Sequence, residues 1–202
     1  LVGGRSLMIA DDLGQIGQWF FDVRSGELLL HQARVFLAAQ VPLYQLESEQ
    51  RQKNIGVVDI NGVFRLFNTT ADRLLAEQAL IGEGIEAMTI SPRGDLLLTE
   101  SESGQFQTYQ IDSPHPEISW SALWKRVWYE GYPDPDFVWQ SSASGNVYEP
   151  KYSLMPLTFG TLKAAFYAML LAAPLAVCGA IFTGYFMAPG MRRTVKPLVE
   201  LM

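Results

Sequence analysis

Cysteine and histidine are nearly missing from this sequence. Its 202 residues hold one cysteine, Cys178, and two histidines, His31 and His115. A single cysteine excludes an internal disulfide, so cysteine usage does not identify a compartment. Cys178 lies in an apolar run, where desolvation disfavours thiolate, and reads as a space-filling side chain. No Gly-x-Ser-x-Gly, His-x-x-x-His or Gly-x-x-x-x-Gly-Lys-Ser/Thr pattern is present, so neither a hydrolase site nor a nucleotide loop is expected. Ser113-Pro114-His115-Pro116 reads as a linker and Asp11-Asp12 as a solvated turn. The sequence gives no reason to expect an enzyme, a catalytic residue, a cofactor or a metal.

Basic charge is scarce until late in the chain. Residues 151–202 hold five bases (Lys151, Lys163, Arg192, Arg193, Lys196) and one acid (Glu200), a local +4 that leaves −10 on residues 1–150 of a net −6. Such an acidic segment repels nucleic acid and is a poor trap for small anions. The start has no basic region followed by an apolar one, so it is not a signal peptide. The chain begins at Leu1 and stops at Met202 within an apolar-basic pattern, so both ends are expected to be cut from a longer protein, with any export signal upstream.

What is present is a repeat. LMIADDLGQIGQWFFDV, IGVVDINGVFRLFNTT and DLLLTESESGQFQTYQID align on Gly14, Gly62 and Gly104, spaced by 48 and 42 residues. Each glycine is followed five residues later by an aromatic: Trp19, Phe67 and Tyr109. Asn61-Gly62 predicts a type I′ hairpin turn. The aromatics are expected on second strands, packed between neighbouring sheets. Ser91-Pro92-Arg93-Gly94 predicts a further turn. The period is close to the roughly 40–45 residues of a WD-type blade, and residues 5–112 resemble a WD-like β-propeller, without its Gly-His or Trp-Asp dipeptides. A plain antiparallel meander or sandwich is the alternative. Three repeats do not close a ring of about four to eight blades, so further blades are expected ahead of Leu1 and a blade edge is expected to be raw.

After the linker, Trp120, Trp124 and Trp128 recur at helical spacing, with Ser119 as the N-cap. They predict an amphipathic elbow helix whose rings sit at a membrane interface; packing on the propeller edge is the alternative. Tyr132-Pro133-Asp134-Pro135-Asp136 reads as a rigid turn. An uncharged run from Ala164 to Met191 follows, longer than the roughly 20 apolar residues that span a bilayer. Ala164, Ala168, Ala172, Ala176, Ala180 and Gly184 recur every fourth residue, a small-residue stripe suited to close helix packing in lipid. Pro174 is expected to bend this helix and Pro189-Gly190 to end it. Arg192, Arg193 and Lys196 follow it, so the positive-inside rule puts residues after 190 in the cytoplasm and the β part outside. Residues 191 onward are expected to start a short surface helix. The expected organisation is 1–117 extracytoplasmic β-propeller repeats, 118–156 connector, 157–190 membrane helix and 191–202 basic stub.

Phe159-Gly160-Thr161-Leu162-Lys163, Ala173-Pro174-Leu175-Ala176 and Met187-Ala188-Pro189 through Arg192-Arg193 to Lys196-Pro197 resemble the start of the membrane core of phosphate ABC-transporter permeases, PstC-type. Some members of that family carry a large extracytoplasmic domain before this helix, and Trp124–Trp139 with Val138-Trp139-Gln140-Ser141-Ser142 look like the same subgroup. The resemblance covers about residues 118–202. It implies an inner-membrane importer of inorganic phosphate. The implied partners are a second permease subunit, cytoplasmic ATPase subunits that use the ATP, a periplasmic phosphate-binding protein and membrane lipid. Residues 1–156 would be periplasmic, and the propeller a docking or regulatory module. No phosphate-contacting residue is carried over, and topology is the expected role of Arg192 and Arg193. The rival is a propeller receptor or scaffold on a single-pass anchor, separated by whether further hydrophobic spans follow Met202.

Overall fold

The computed structural model describes residues 6–24, 27–37, 40–49, 51–81, 84–142 and 149–200. They form two compact units, Leu1–Pro156 and Leu157–Met202.

Among the described residues the first unit holds, in sequence order, three antiparallel sheets of three or four strands, followed by a two-stranded pair. β1 (Ser6–Ala10), β2 (Gln15–Arg24) and β3 (Glu27–Leu37) form the first; β4 (Leu43–Ser48), β5 (Asn54–Asp59), β6 (Val63–Asn68) and β7 (Arg73–Ala79) the second; β8 (Ile85–Ile90), β9 (Leu96–Ser101) and β10 (Phe106–Gln110) the third. Each strand is neighbour to the next in sequence, so the hairpin turns set the register.

One turn recurs. The amide of Gly62 donates to the Asp59 carbonyl at 2.9 Å, and one Asp59 carboxyl oxygen accepts from the amides of Asn61 (2.9 Å) and Val63 (3.0 Å). Asp11 does the same for Leu13 and Gln15, at 3.0 and 2.7 Å. In the third sheet Ser101 Oγ accepts from Gln105 at 3.2 Å. Gly62 has φ +75°, whereas Asn61 is not left-handed. The turn is therefore not type I′: only the final residue needs positive φ, as in a type I turn closed by a left-handed glycine. The hairpin was legible from Asn61-Gly62; its type depends on Asp59, whose carboxylate holds the loop open by one residue.

These equivalent turns phase the sheets. β1–β2, β5–β6 and β9–β10 are the same hairpin, so the first sheet begins one strand into the unit and the third stops one strand short. The sheets pack face to face. Ile16 and Phe36 of the first meet Ile55, Val57 and Phe67 of the second, all buried. Val58, Phe64 and Leu66 meet Met88, Ile90 and Leu97 of the third. Strand alternation sends Ile55 and Val57 to one face and Val58 to the other, and every residue of β5 is buried. Gly56 has no room for a side chain: a Cβ there would lie 2.8 Å from both Ile90 Cδ1 and a Phe64 ring carbon. The Gln45 amide clamps β4 to β8 by exchanging hydrogen bonds of 2.9 and 2.8 Å with the backbone of Met88. β4 and β8, the first strands of the second and third sheets, thus lie side by side, as neighbouring propeller blades do.

The three repeat aromatics all fall on second strands. Phe67 is buried, its ring centroid 5.7 Å from that of Phe36 across the first two sheets. Tyr109 packs against the second core and accepts the Ile81 amide at 3.0 Å. Trp19 is half-buried.

The second unit is helical. α2 (Met155–Ile181), which begins at the boundary, runs into a π-helical turn, Phe182–Phe186, and α3 (Pro189–Glu200) follows. Pro189-Gly190 does not end the first helix: Met187 is already extended, and Pro189 opens α3, where its fixed φ and missing N–H cost nothing. Pro174 lies inside α2, which continues through it to Ile181.

Candidate functional site

Residues 118–142 and 149–154 close over one end of the first two sheets. α1 (Trp120–Trp124) is capped by Ser119, whose Oγ accepts the Ala122 amide at 3.1 Å and donates to the Ala71 carbonyl at 3.0 Å. The helix stops at Trp124 because Lys125 turns extended. Trp128 is therefore not on its face. It lies edge-on to Phe20 at 5.8 Å and donates from Nε1 to the Tyr132 carbonyl at 2.8 Å. The spacing that suggested a single three-ring stripe groups only Trp120 and Trp124, whose centroids are 6.4 Å apart.

Behind Trp128 lies a buried polar cluster that sequence reading did not find. Lys53 Nζ and Glu130 Oε2 pair at 2.7 Å with side chains 3% and 6% exposed. Glu130 Oε1 accepts from Ser6 Oγ at 2.7 Å. Glu149 accepts from Thr70 Oγ1 (2.7 Å) and the Glu130 amide (3.1 Å). Arg34 donates to Gln18 Oε1 (2.8 Å) and to the carbonyls of Thr69 and Trp128. Burial and then the nearby Glu130 carboxylate push the Glu149 carboxyl above its usual range, against the Thr70 hydrogen bond and Arg34. Burial, with Glu149 beside it, pushes the Tyr129 phenol up to about 12. These groups satisfy one another, and the cluster fastens the connector to the sheets. No group of three or more metal-binding side chains occurs among the described residues.

The chain leaves this unit through β12 (Lys151–Tyr152), paired with β11 (Trp139–Gln140). The Ser153 amide donates to the Val138 carbonyl at 3.0 Å and the Leu154 amide to the Leu123 carbonyl at 2.8 Å. α1 and β11 thus flank the exit. Trp139 and Tyr152 meet edge-on at 5.7 Å.

The segment Met155–Phe186 holds an 18-residue stretch of mean hydropathy 2.1, none of it buried. It is long and apolar enough to cross a membrane. Ala164, Ala168, Ala172, Ala176 and Ala180 lie on α2, and Gly184 lies in the π turn, so the stripe's last member is off the regular helix. Every stripe residue and Cys178 is exposed. The π turn frees carbonyls, and Arg192 Nε donates to that of Thr183 at 2.9 Å. Arg192, Arg193 and Lys196 all fall on α3.

The protein is thus a mainly antiparallel β chain of propeller-like sheets with one long apolar helix. No family model and no curated protein matches it. Among solved structures it is similar to the β-propeller domain of Cps50 (Swd1) from Myceliophteria thermophila, at 13% identity over 54% of this chain and 36% of that one, TM-score 0.47. It is also similar to Hsv2p of Kluyveromyces lactis, at 19% identity over 58% and 37%, TM-score 0.45. A third is the computationally designed Ika8 protein, at 10% identity over 53% and 30%, TM-score 0.43. The chain spans between 30% and 37% of the length of these solved chains.

Proposed function

We propose that this chain is part of the permease subunit of an ABC importer for inorganic phosphate, held in a bacterial inner membrane with its propeller outside. The observation that carries this reading is α2. Its apolar surface is wholly exposed and carries alanine every fourth residue from Ala164 to Ala180. Helices associate in lipid through such small-residue faces, and a single-pass anchor that stays monomeric does not need one. The resemblance of about residues 118–202 to phosphate permeases supplies the substrate. The acidic β unit favours delivery of phosphate by a separate binding protein over capture by the propeller, which serves as a docking or regulatory module. ATP is used by a separate ATPase subunit, and no catalytic role is assigned to this chain.

The test is ATP-driven uptake of radiolabelled phosphate by proteoliposomes holding the full-length gene product with its membrane and ATPase partners and the binding protein. Uptake that depends on this subunit supports the reading. A full-length product with one membrane span and no uptake overturns it in favour of a membrane-anchored propeller receptor or scaffold.

A further inference from the structure

Where the chain leaves the β unit, aromatic side chains surround it. Leu154, one residue ahead of α2, is hydrogen-bonded to Leu123 of α1, and Ser153 to Val138 beside β11. α1 presents Trp120, 78% exposed, and Trp124, 38% exposed; β11 presents Trp139, 41% exposed. Rings this large are normally covered in a water-soluble domain. Two separate elements that flank the exit leave such rings bare, and the chain that leaves there continues into a helix fit to span a bilayer.

The charge around them is also distinctive. Lys125 and Arg126 follow Trp124 directly and are exposed, and Arg126 lies 5.5 Å from the centroid of the Phe137 ring. Arg73, exposed, donates to the Ile118 carbonyl just ahead of α1. Two of these bases, Arg73 and Lys125, line the adjoining groove together with one acid, Asp72. The rest of residues 1–150 is strongly acidic, so an anionic surface would repel the unit elsewhere and attract it here.

We propose that Trp120, Trp124 and Trp139 form an interfacial belt that, with Lys125 and Arg126, seats the β unit on the headgroups of an anionic bilayer. The proposal rests on reading α2 as a membrane span and is independent of the transported substrate. Trp fits this position because its ring is apolar and its N–H is wet. Trp128, turned into the protein, is not part of the belt.

The test uses the whole chain in vesicles of phosphatidylcholine and phosphatidylglycerol with brominated acyl chains, which quench nearby tryptophan emission. α2 holds no tryptophan, so quenching reports on the β unit. In W120F/W124F/W139F, quenching is expected to fall by at least about twofold, and in W120F alone it falls less. In K125Q/R126Q, quenching no longer rises with phosphatidylglycerol content. Cys178, the one cysteine, reports the span separately through protection from an impermeant maleimide. Protected Cys178 with quenching unchanged in the triple variant overturns the belt and leaves the span standing. Cys178 labelled in intact vesicles overturns both.

Discussion

Lys53 and Glu130 stand 77 residues apart in sequence and meet at 2.7 Å inside the protein. Lys53 sits there with φ +59°, left-handed for a residue with a Cβ, so the loop accepts backbone strain to deliver this ammonium. Removing one member of a buried pair strands the other charge, which typically costs about 3–5 kcal/mol. Glu130→Ala is expected to destabilise the β unit by that order, and K53M/E130M to recover much of the loss. Denaturant unfolding of the detergent-solubilised chain, followed by Trp emission, measures both.

Gly62 has open space around its Cα and φ +75°, so strain and not crowding decides its substitutions. Gly62→Ala is expected to cost about 1–2 kcal/mol, and Gly62→Asn less, since asparagine tolerates this region. Gly56→Ala tests the opposite case, with normal φ and no room. A thermal shift comparison of the three separates the mechanisms.

Two carboxylates give opposite pH dependence. Burial raises the Asp59 pKa, but its hydrogen bond to Arg65 (2.7 Å) and those from Val63 and Asn61 win, and the net shift is downward. Its stabilising contribution is present above the ordinary carboxyl value of about 4 and fades as pH falls through the lowered value. The Glu149 shift is upward, so its contribution is present below the ordinary value and fades as pH rises through the raised one. The melting-temperature deficit of D59N should therefore shrink on acidification. The melting temperature of E149Q relative to wild type should rise with pH above the ordinary carboxyl value. A deficit of D59N that grows on acidification would contradict the first assignment.

Arg192 distinguishes charge from hydrogen bonding. Arg192→Lys keeps the positive charge near the helix end but loses the Nε bond to the Thr183 carbonyl. Hydrogen exchange in residues 183–188 is expected to quicken in R192K, while sidedness, read by protease access, stays the same.

If the alanine stripe is a packing face, Ala172→Leu and Ala176→Leu should leave insertion intact and abolish co-purification with partner membrane helices. Partners retained at wild-type yield would remove the main support for a permease.

Local features were legible in the sequence. Gly14, Gly62 and Gly104 phase the hairpins correctly because a left-handed turn residue is a property of a few neighbouring positions. Ser119 caps α1 as its hydroxyl suggests. What was missed depends on distant contacts. Trp128 falls at helical spacing after Trp124, yet the chain turns extended at Lys125 and the ring packs on Phe20. Pro189 marked a boundary, but the π turn had already ended the helix ahead of it. Lys53, Glu130 and Glu149 come from separate loops with no common period, and Trp139 joins the exit through the ladder and ring contact with Tyr152.

The exit strand has a mechanical meaning. Tension along the backbone at Leu154 is borne first by the main-chain bonds to Leu123 and Val138, and by β12 against β11. From there it reaches the sheets through the buried ion pair and the Glu149 hydrogen bonds. The connector is a load path of short links that couples the exit to both of the first two sheets.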